Sequence, residues 1–175
     1  MNRWLRAAGD PLATEELYRR YVHPVYAYCK RRINDVDAAR DATSAVMLKA
    51  LEGLYRSRVD NVATWIFSIA HNEVVSLYRR RHTTVGLEFA VNVVDGSVSP
   101  ENQALAGATA RELRNMLAQL SPDQQQVVTL RLAGLDGGEI CTVLGKSRSW
   151  VDATQALAIR RLCDLWDSRL ALQNE

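Results

Sequence analysis

Long apolar runs are missing from this 175-residue chain. No stretch approaches the roughly 18 consecutive apolar residues that a membrane-spanning helix needs. Arg3 and Arg6 lie near the start, yet no apolar segment of the signal-peptide kind follows them. No membrane insertion is expected, and the expected location is the cytoplasm. Cysteine is scarce too. Cys29, Cys141 and Cys163 stand apart without C-x-x-C spacing, and an odd count cannot pair fully within one chain. Reduced thiols used as small core residues are the expectation. The three histidines, His23, His71 and His82, form no ligand-spaced set. A Gly-rich phosphate loop is absent, and no nucleophile sits in a recognisable turn. No catalytic residue, metal or cofactor is therefore expected, which sets the enzyme classes aside.

A hydrophobic fraction of 47% is ample for compact cores. The formal charge of +2 conceals an asymmetry. Residues 1–82 carry 14 Lys and Arg against 9 Asp and Glu, whereas residues 120–175 carry 6 against 7. A local basic field, more than the total charge, attracts phosphate, so any nucleic-acid contact should be strongest in the first half.

Apolar residues recur at helical spacing through Leu17, Tyr21, Val25 and Tyr28, then Ala39, Ala42, Val46 and Ala50, then Ile66, Ile69, Ala70, Val74 and Leu77. Asp10 before Pro11 reads as an N-cap, and Asn34, Asp35 and Asp37 as a break and cap before the second helix. Pro24 should kink or divide the first. From residue 83 to about 104 periodicity fades, and Gly86, Gly96, Ser97, Ser99 and Pro100 gather with Glu88, Asp95 and Glu101. Val91, Val93 and Val94 within this stretch lack a partner strand, so an extended linker is expected. The predicted fold is all-α: a first helical module over 1–82, a flexible linker over 83–104, and a second helical module over 105–175.

In the second module Ser121-Pro122-Asp123-Gln124 is a capping box with proline at the first helical position, opening a helix that runs to Gly134. Asp136 caps a short helix, Gly145 ends it, and Ser147 caps a long helix continuing past Leu162. This spacing predicts a helix-turn-helix, whose second helix can enter a major groove. Leu135, Ile140, Leu144 and Val151 should face the small core, with Cys141 allowing close helix contact and Gly145 a positive φ.

Leu120-Ser121-Pro122 through Leu162 resembles region 4 of bacterial sigma factors. In the first half, Glu16-Leu17-Tyr18-Arg19-Arg20-Tyr21, Ala38-Ala39-Arg40-Asp41 and Thr64-Trp65-Ile66-Phe67-Ser68-Ile69-Ala70-His71-Asn72, followed by Arg79-Arg80-Arg81, resemble region 2. Both fall in family order, as in the small extracytoplasmic-function (ECF) type. The resemblance implies a subunit that binds core RNA polymerase and directs promoter recognition and transcription initiation. Its implied partners are the clamp helices of the largest polymerase subunit, the polymerase flap, promoter DNA and an anti-sigma factor. An association with the nucleoid through polymerase follows.

Asn72, Tyr78, Arg79, Arg80 and Arg81 combine an amide, an aromatic face and cations at one helix end, a set suited to single-stranded DNA. The resemblance assigns them to the −10 element. It places −35 contacts at Lys146, Arg148, Ser149, Thr154, Gln155 and Arg160, and polymerase contacts at Asp41, Ser44 and Leu48. Trp65 is expected to serve mainly in core packing.

The sequence departs from the family pattern in three places. Ser44 and Ala45 stand where a glutamine and an acidic residue are usual, and Ser76 replaces an aspartate. The recognition helix reads Val151-Asp152-Ala153-Thr154-Gln155-Ala156-Leu157, with few of the usual cations. Weak or unusual −35 binding is the expectation. Trp150 has three uses open to it: packing, a thymine methyl, or a protein interface. The second functional reading is a degenerate sigma-like adaptor that binds polymerase or a regulator without specifying promoters alone.

Overall fold

The structure, a computed structural model, describes residues 11–33, 35–56, 59–84 and 108–173. They form seven helices: α1 (Pro11–Arg32), α2 (Val36–Arg56), α3 (Val62–Thr84), α4 (Ala108–Ala118), α5 (Pro122–Leu132), α6 (Gly137–Leu144) and α7 (Arg148–Gln173). No strand occurs among the described residues.

Helices α1, α2 and α3 pack mutually as the first module. The apolar stripes read from the sequence meet at its centre, where Leu17, Val25, Tyr28, Val46, Ile66, Phe67 and Val74 are fully buried. Tyr28 meets Phe67 edge-on, with ring centroids 5.8 Å apart. Trp65 packs against the core over Gly53, where a Cβ would fall 2.5 Å from the indole. Glycine there lets α2 approach α3. Asp35 caps α2, its Oδ1 accepting from the amides of Asp37 (2.9 Å) and Ala38 (3.0 Å). Pro24 does not divide α1, which runs unbroken from Pro11 to Arg32. Proline forgoes one backbone bond, but buried Tyr21, Val25 and Tyr28 on either side of it hold the halves in one helix.

The caps of the second module form as the sequence predicts. Ser121 and Gln124 make a reciprocal capping box at α5, and Asp136 and Glu139 make another at α6. Helix α5 stops at Leu132, two residues before Gly134, which takes φ +90°. Gly145 adopts φ +62° and its amide reaches the Cys141 carbonyl, turning the chain into α7, whose first turn Ser147 caps by accepting from Trp150 N. Leu135, Ile140 and Val151 are buried at the crossing. Leu117, Leu120 and Ala158 hold α4 to α7, with Leu162 packed on them. Cys29 is a buried core thiol, as expected, but Cys163 is exposed. One residue past Leu162, a helix turns by about 100° and faces outward.

The two modules lie against each other. Helix α5 packs on α1 and α6 on α3, and one continuous apolar cluster runs from Leu17 to Val151. Helix α3 continues two residues beyond the expected module end, to Thr84, and α4 begins at Ala108. The rest of the expected linker, with Val91, Val93 and Val94, lies outside the described residues, as do Asp10 and Asn34.

Candidate nucleic-acid interface

The last three turns of α3 gather the first candidate set. Asn72 and Arg79, seven residues apart, share a helix face and are exposed, as is Arg80. Cations at this end also complement the helix dipole. Arg80 Nη2 lies 3.1 Å from Glu73 Oε1, and the other oxygen of Glu73 pairs with Lys49 of α2. Glu73 is itself almost buried, so one carboxylate ties α2 to the basic helix end. Tyr78 is 38% exposed, and its hydroxyl donates to the Arg32 carbonyl at the end of α1. Its ring edge is thereby fixed while a face stays open to solvent. Arg81 continues the same helix.

Asp41, Ser44 and Leu48 follow one another at i, i+3 and i+7 along α2 and all three are exposed, Leu48 to 59%. The fold therefore assembles them into a single outward stripe, while Ala42, Val46 and Ala50 face the core.

The set on α7 is differently placed, because most of its members already have partners. The Lys146 ammonium sits 5.3 Å from the centre of the Trp150 ring, and the half-buried Trp150 packs on the core. Arg148 Nε donates to both carboxylate oxygens of Asp152, at 3.0 and 2.9 Å, and that bond raises its pKa. Its guanidinium also lies flat on Gly137, where a Cβ would approach to 2.7 Å. Ser149 meets Ser147 at 3.2 Å. Gln155 Oε1 accepts from Arg131 Nε at 2.7 Å. Thr154 is turned inward, 9% exposed, and Arg160 is exposed.

A third cluster, not anticipated from the sequence, lies where the modules meet. Gln126 of α5 is 5% exposed, and its Nε2 donates to Tyr28 Oη (2.8 Å) and meets His71 Nδ1 (3.1 Å). Its Oε1 accepts from Arg32 Nη1 (2.8 Å). Tyr28 Oη and His71 Nδ1 are also 3.1 Å apart. One turn further along α5, Thr129 Oγ1 accepts from Arg31 Nη1 (2.6 Å). Asn61, at the start of α3, donates to Glu139 of α6. Burial pushes the Tyr28 hydroxyl up to about 12. Burial first, then Arg32 and Lys146, hold His71 below its ordinary value. With Gln126 donating, His71 Nδ1 acts as an acceptor, so the ring proton resides on Nε2. The available signal was that Gln126 and Thr129 stand at i and i+3 beside the apolar Val127 and Leu130.

The chain matches the Sigma-70 region 2 family over residues 17–84 and the Sigma-70 region 4 family over residues 110–162. It is 32% identical over 145 residues to the RNA polymerase sigma factor YlaC of Bacillus subtilis, covering 80% of this chain and 84% of that protein. The ECF RNA polymerase sigma factor ShbA of Streptomyces griseus is 31% identical over 170 residues, covering 88% and 87%. The chain belongs to the ECF sigma factors. The ECF sigma factor BldN of Streptomyces coelicolor is 32% identical over 165 residues, 90% of this chain but 62% of BldN. The family is one of transcription initiation factors and not of enzymes. Two solved structures share the fold of this sigma factor. One is CnrH in complex with the cytosolic domain of CnrY, at TM-score 0.62 and 18% identity over 94% of this chain and 96% of that one. The other is RpoE from Bartonella quintana in complex with the anti-sigma factor NepR, at TM-score 0.66 and 19% identity over 87% and 96%. Region 2 thus coincides with α1 to α3, and region 4 with the helices around the helix-turn-helix. No helix among the described residues is long and apolar enough to cross a membrane.

Proposed function

We propose that this alternative sigma factor binds core RNA polymerase through the α2 stripe of Asp41, Ser44 and Leu48. It melts and reads the −10 element at the end of α3 and docks on the −35 element through α7. The observation that carries this reading is the end of α3. There Asn72, Tyr78, Arg79 and Arg80 join a base-reading amide, an open aromatic face and cations on one helix, which runs on through Arg81. The α2 stripe is exposed on another helix of the same three-helix module. The functional boundaries are a region 2 module ending near residue 82, a linker over 83–104 and a region 4 module from 105. The protein works in the cytoplasm at the nucleoid, where polymerase is. An anti-sigma factor is its regulator; the solved complex of the RpoE fold relative with NepR supports that class of partner.

A second reading is favoured by α7 itself. Lys146, Arg148, Ser149 and Gln155 are engaged within the chain, and Asp152 offsets the Arg148 charge. An adaptor that binds polymerase but specifies no promoter alone has this property. Transcription from a genomic fragment library, with purified core polymerase and this protein, separates the two. Mapped 5′ ends sharing spaced −35 and −10 motifs support the full sigma factor. Retained polymerase binding without defined starts supports the adaptor.

A further inference from the structure

The chemistry of the junction between modules is unbalanced. Arg31 and Arg32 end α1 side by side, and each spends a guanidinium bond on a neutral oxygen, the Thr129 hydroxyl and the Gln126 amide. Among the described residues neither forms an ion pair. Hydrogen bonds from a guanidinium to an anionic oxygen are roughly twice as strong as neutral ones, and Arg suits bidentate binding of phosphate. A neutral partner therefore leaves much of the available interaction unmade. Arg31 keeps part of its side chain at the surface and Arg32 is half-buried, while the protein packed around the Arg31 guanidinium disfavours its charged form.

The place of these cations matters as much as their partners. The Arg32 carbonyl accepts from Tyr78, and His71, which closes the cluster beside Gln126, precedes Asn72 on α3. The junction is thus contiguous with the end of α3. A nucleic-acid backbone lying along Asn72 and Tyr78 runs next to the end of α1, where Lys30 adjoins the pair.

We infer that Arg31 and Arg32 form a phosphate-binding site on the first module, whose guanidinium bonds region 4 takes through Gln126 and Thr129 until a nucleic-acid backbone replaces it. The inference rests on the reading that the end of α3 holds DNA. It adds a site and a competition: phosphate oxygens take the guanidinium bonds that a side-chain amide and a hydroxyl fill in the closed chain. Region 4 and DNA then exclude each other at this site, and DNA binding favours separation of the modules.

The test uses the full-length chain and a fluorescently labelled single-stranded DNA of mixed sequence, with anisotropy measured across a salt series. Gln126→Ala is expected to bind several-fold tighter than the parent. Its log–log salt slope should be steeper by about one unit, since each phosphate contact on a single strand contributes roughly 0.7. Adding Arg31→Ala and Arg32→Ala should abolish that gain, whereas Arg31→Lys with Arg32→Lys should keep the slope, because charge is retained. Unchanged affinity and slope in Gln126→Ala overturn the inference, as does a gain that survives the double alanine change. Loss of the slope in the lysine pair also overturns it. Arg79→Ala with Arg80→Ala separates this site from the α3 reading. If that pair flattens the slope and the Arg31 and Arg32 changes do not, the Arg31 and Arg32 site fails alone. If the reverse holds, the α3 assignment fails, and the inferred competition along one DNA track fails with it.

Discussion

Replacing Gln126 with alanine is expected to open the closed chain. The side chain meets three groups of the first module: Tyr28 Oη at 2.8 Å, His71 Nδ1 at 3.1 Å and Arg32 Nη1 at 2.8 Å. A net hydrogen bond in a folded protein contributes about 0.5–1.5 kcal/mol. Tyr28 and His71 keep each other as partners, which limits the penalty for stranded groups. The expected loss of closure is then about 2–3 kcal/mol, a fall of roughly 30- to 150-fold in the closed-to-open ratio. The apolar contacts of α6 on α3 remain, so the variant should still fold. Dyes attached through azide-bearing residues at the exposed positions Leu48 and Leu157, one on each module, report the separation by energy transfer. Amide exchange in α5 and the second half of α1 reports it independently. Unchanged transfer efficiency together with unchanged exchange protection refutes the claim that Gln126 holds the modules together.

Acid should act on the same junction. His71 faces Tyr28 and Arg32 from α1, Gln126 from α5 and Lys146 from the turn before α7, and its pKa in the closed form lies below the ordinary 6.5. A group depressed in the closed form supports closure above its open-state pKa and loses that support as pH falls through the lowered value. Energy transfer should therefore drop on acidification, and His71→Gln should remove the dependence. Asp152→Asn frees Arg148 from its partner, so double-stranded DNA binding should become steeper in salt by roughly 0.9 unit; a flat response speaks against α7 as a DNA reader. Gly145→Ala places a side chain at φ +62° and should cost about 1–2 kcal/mol, read as a lowered thermal midpoint of the helix-turn-helix. Ile140→Ala empties the fully buried centre of that unit and should cost about 2–5 kcal/mol, measured by denaturant titration.

Much of this protein is legible in its sequence because the information is local. Every helix with a periodic apolar stripe exists, and the caps at Asp35, Ser121, Asp136 and Ser147 form where read. The left-handed turn at Gly145 also follows, since few other residues tolerate that backbone. Asp41, Ser44 and Leu48 share a face through helical spacing alone, as do Asn72 and Arg79. Pro24 does not divide α1, because the loss of one backbone bond yields to packing on both sides of it.

What the sequence alone decided, then, was the helices with clear caps or apolar stripes and their order in two modules; it did not mark α4 or the inward turn of Thr154. Only the tertiary structure decided that the modules close on one another and that Gln126, Thr129, Arg31, Arg32 and His71 meet. Those contacts join residues more than 50 positions apart, and a polar side chain on a helix has the same periodicity whether it faces water or a partner. The internal pairing of the recognition helix, with Arg148 on Asp152 and Gln155 on Arg131, is likewise a matter of rotamer and neighbour. Pattern fixes which face a residue occupies; packing decides what that face meets.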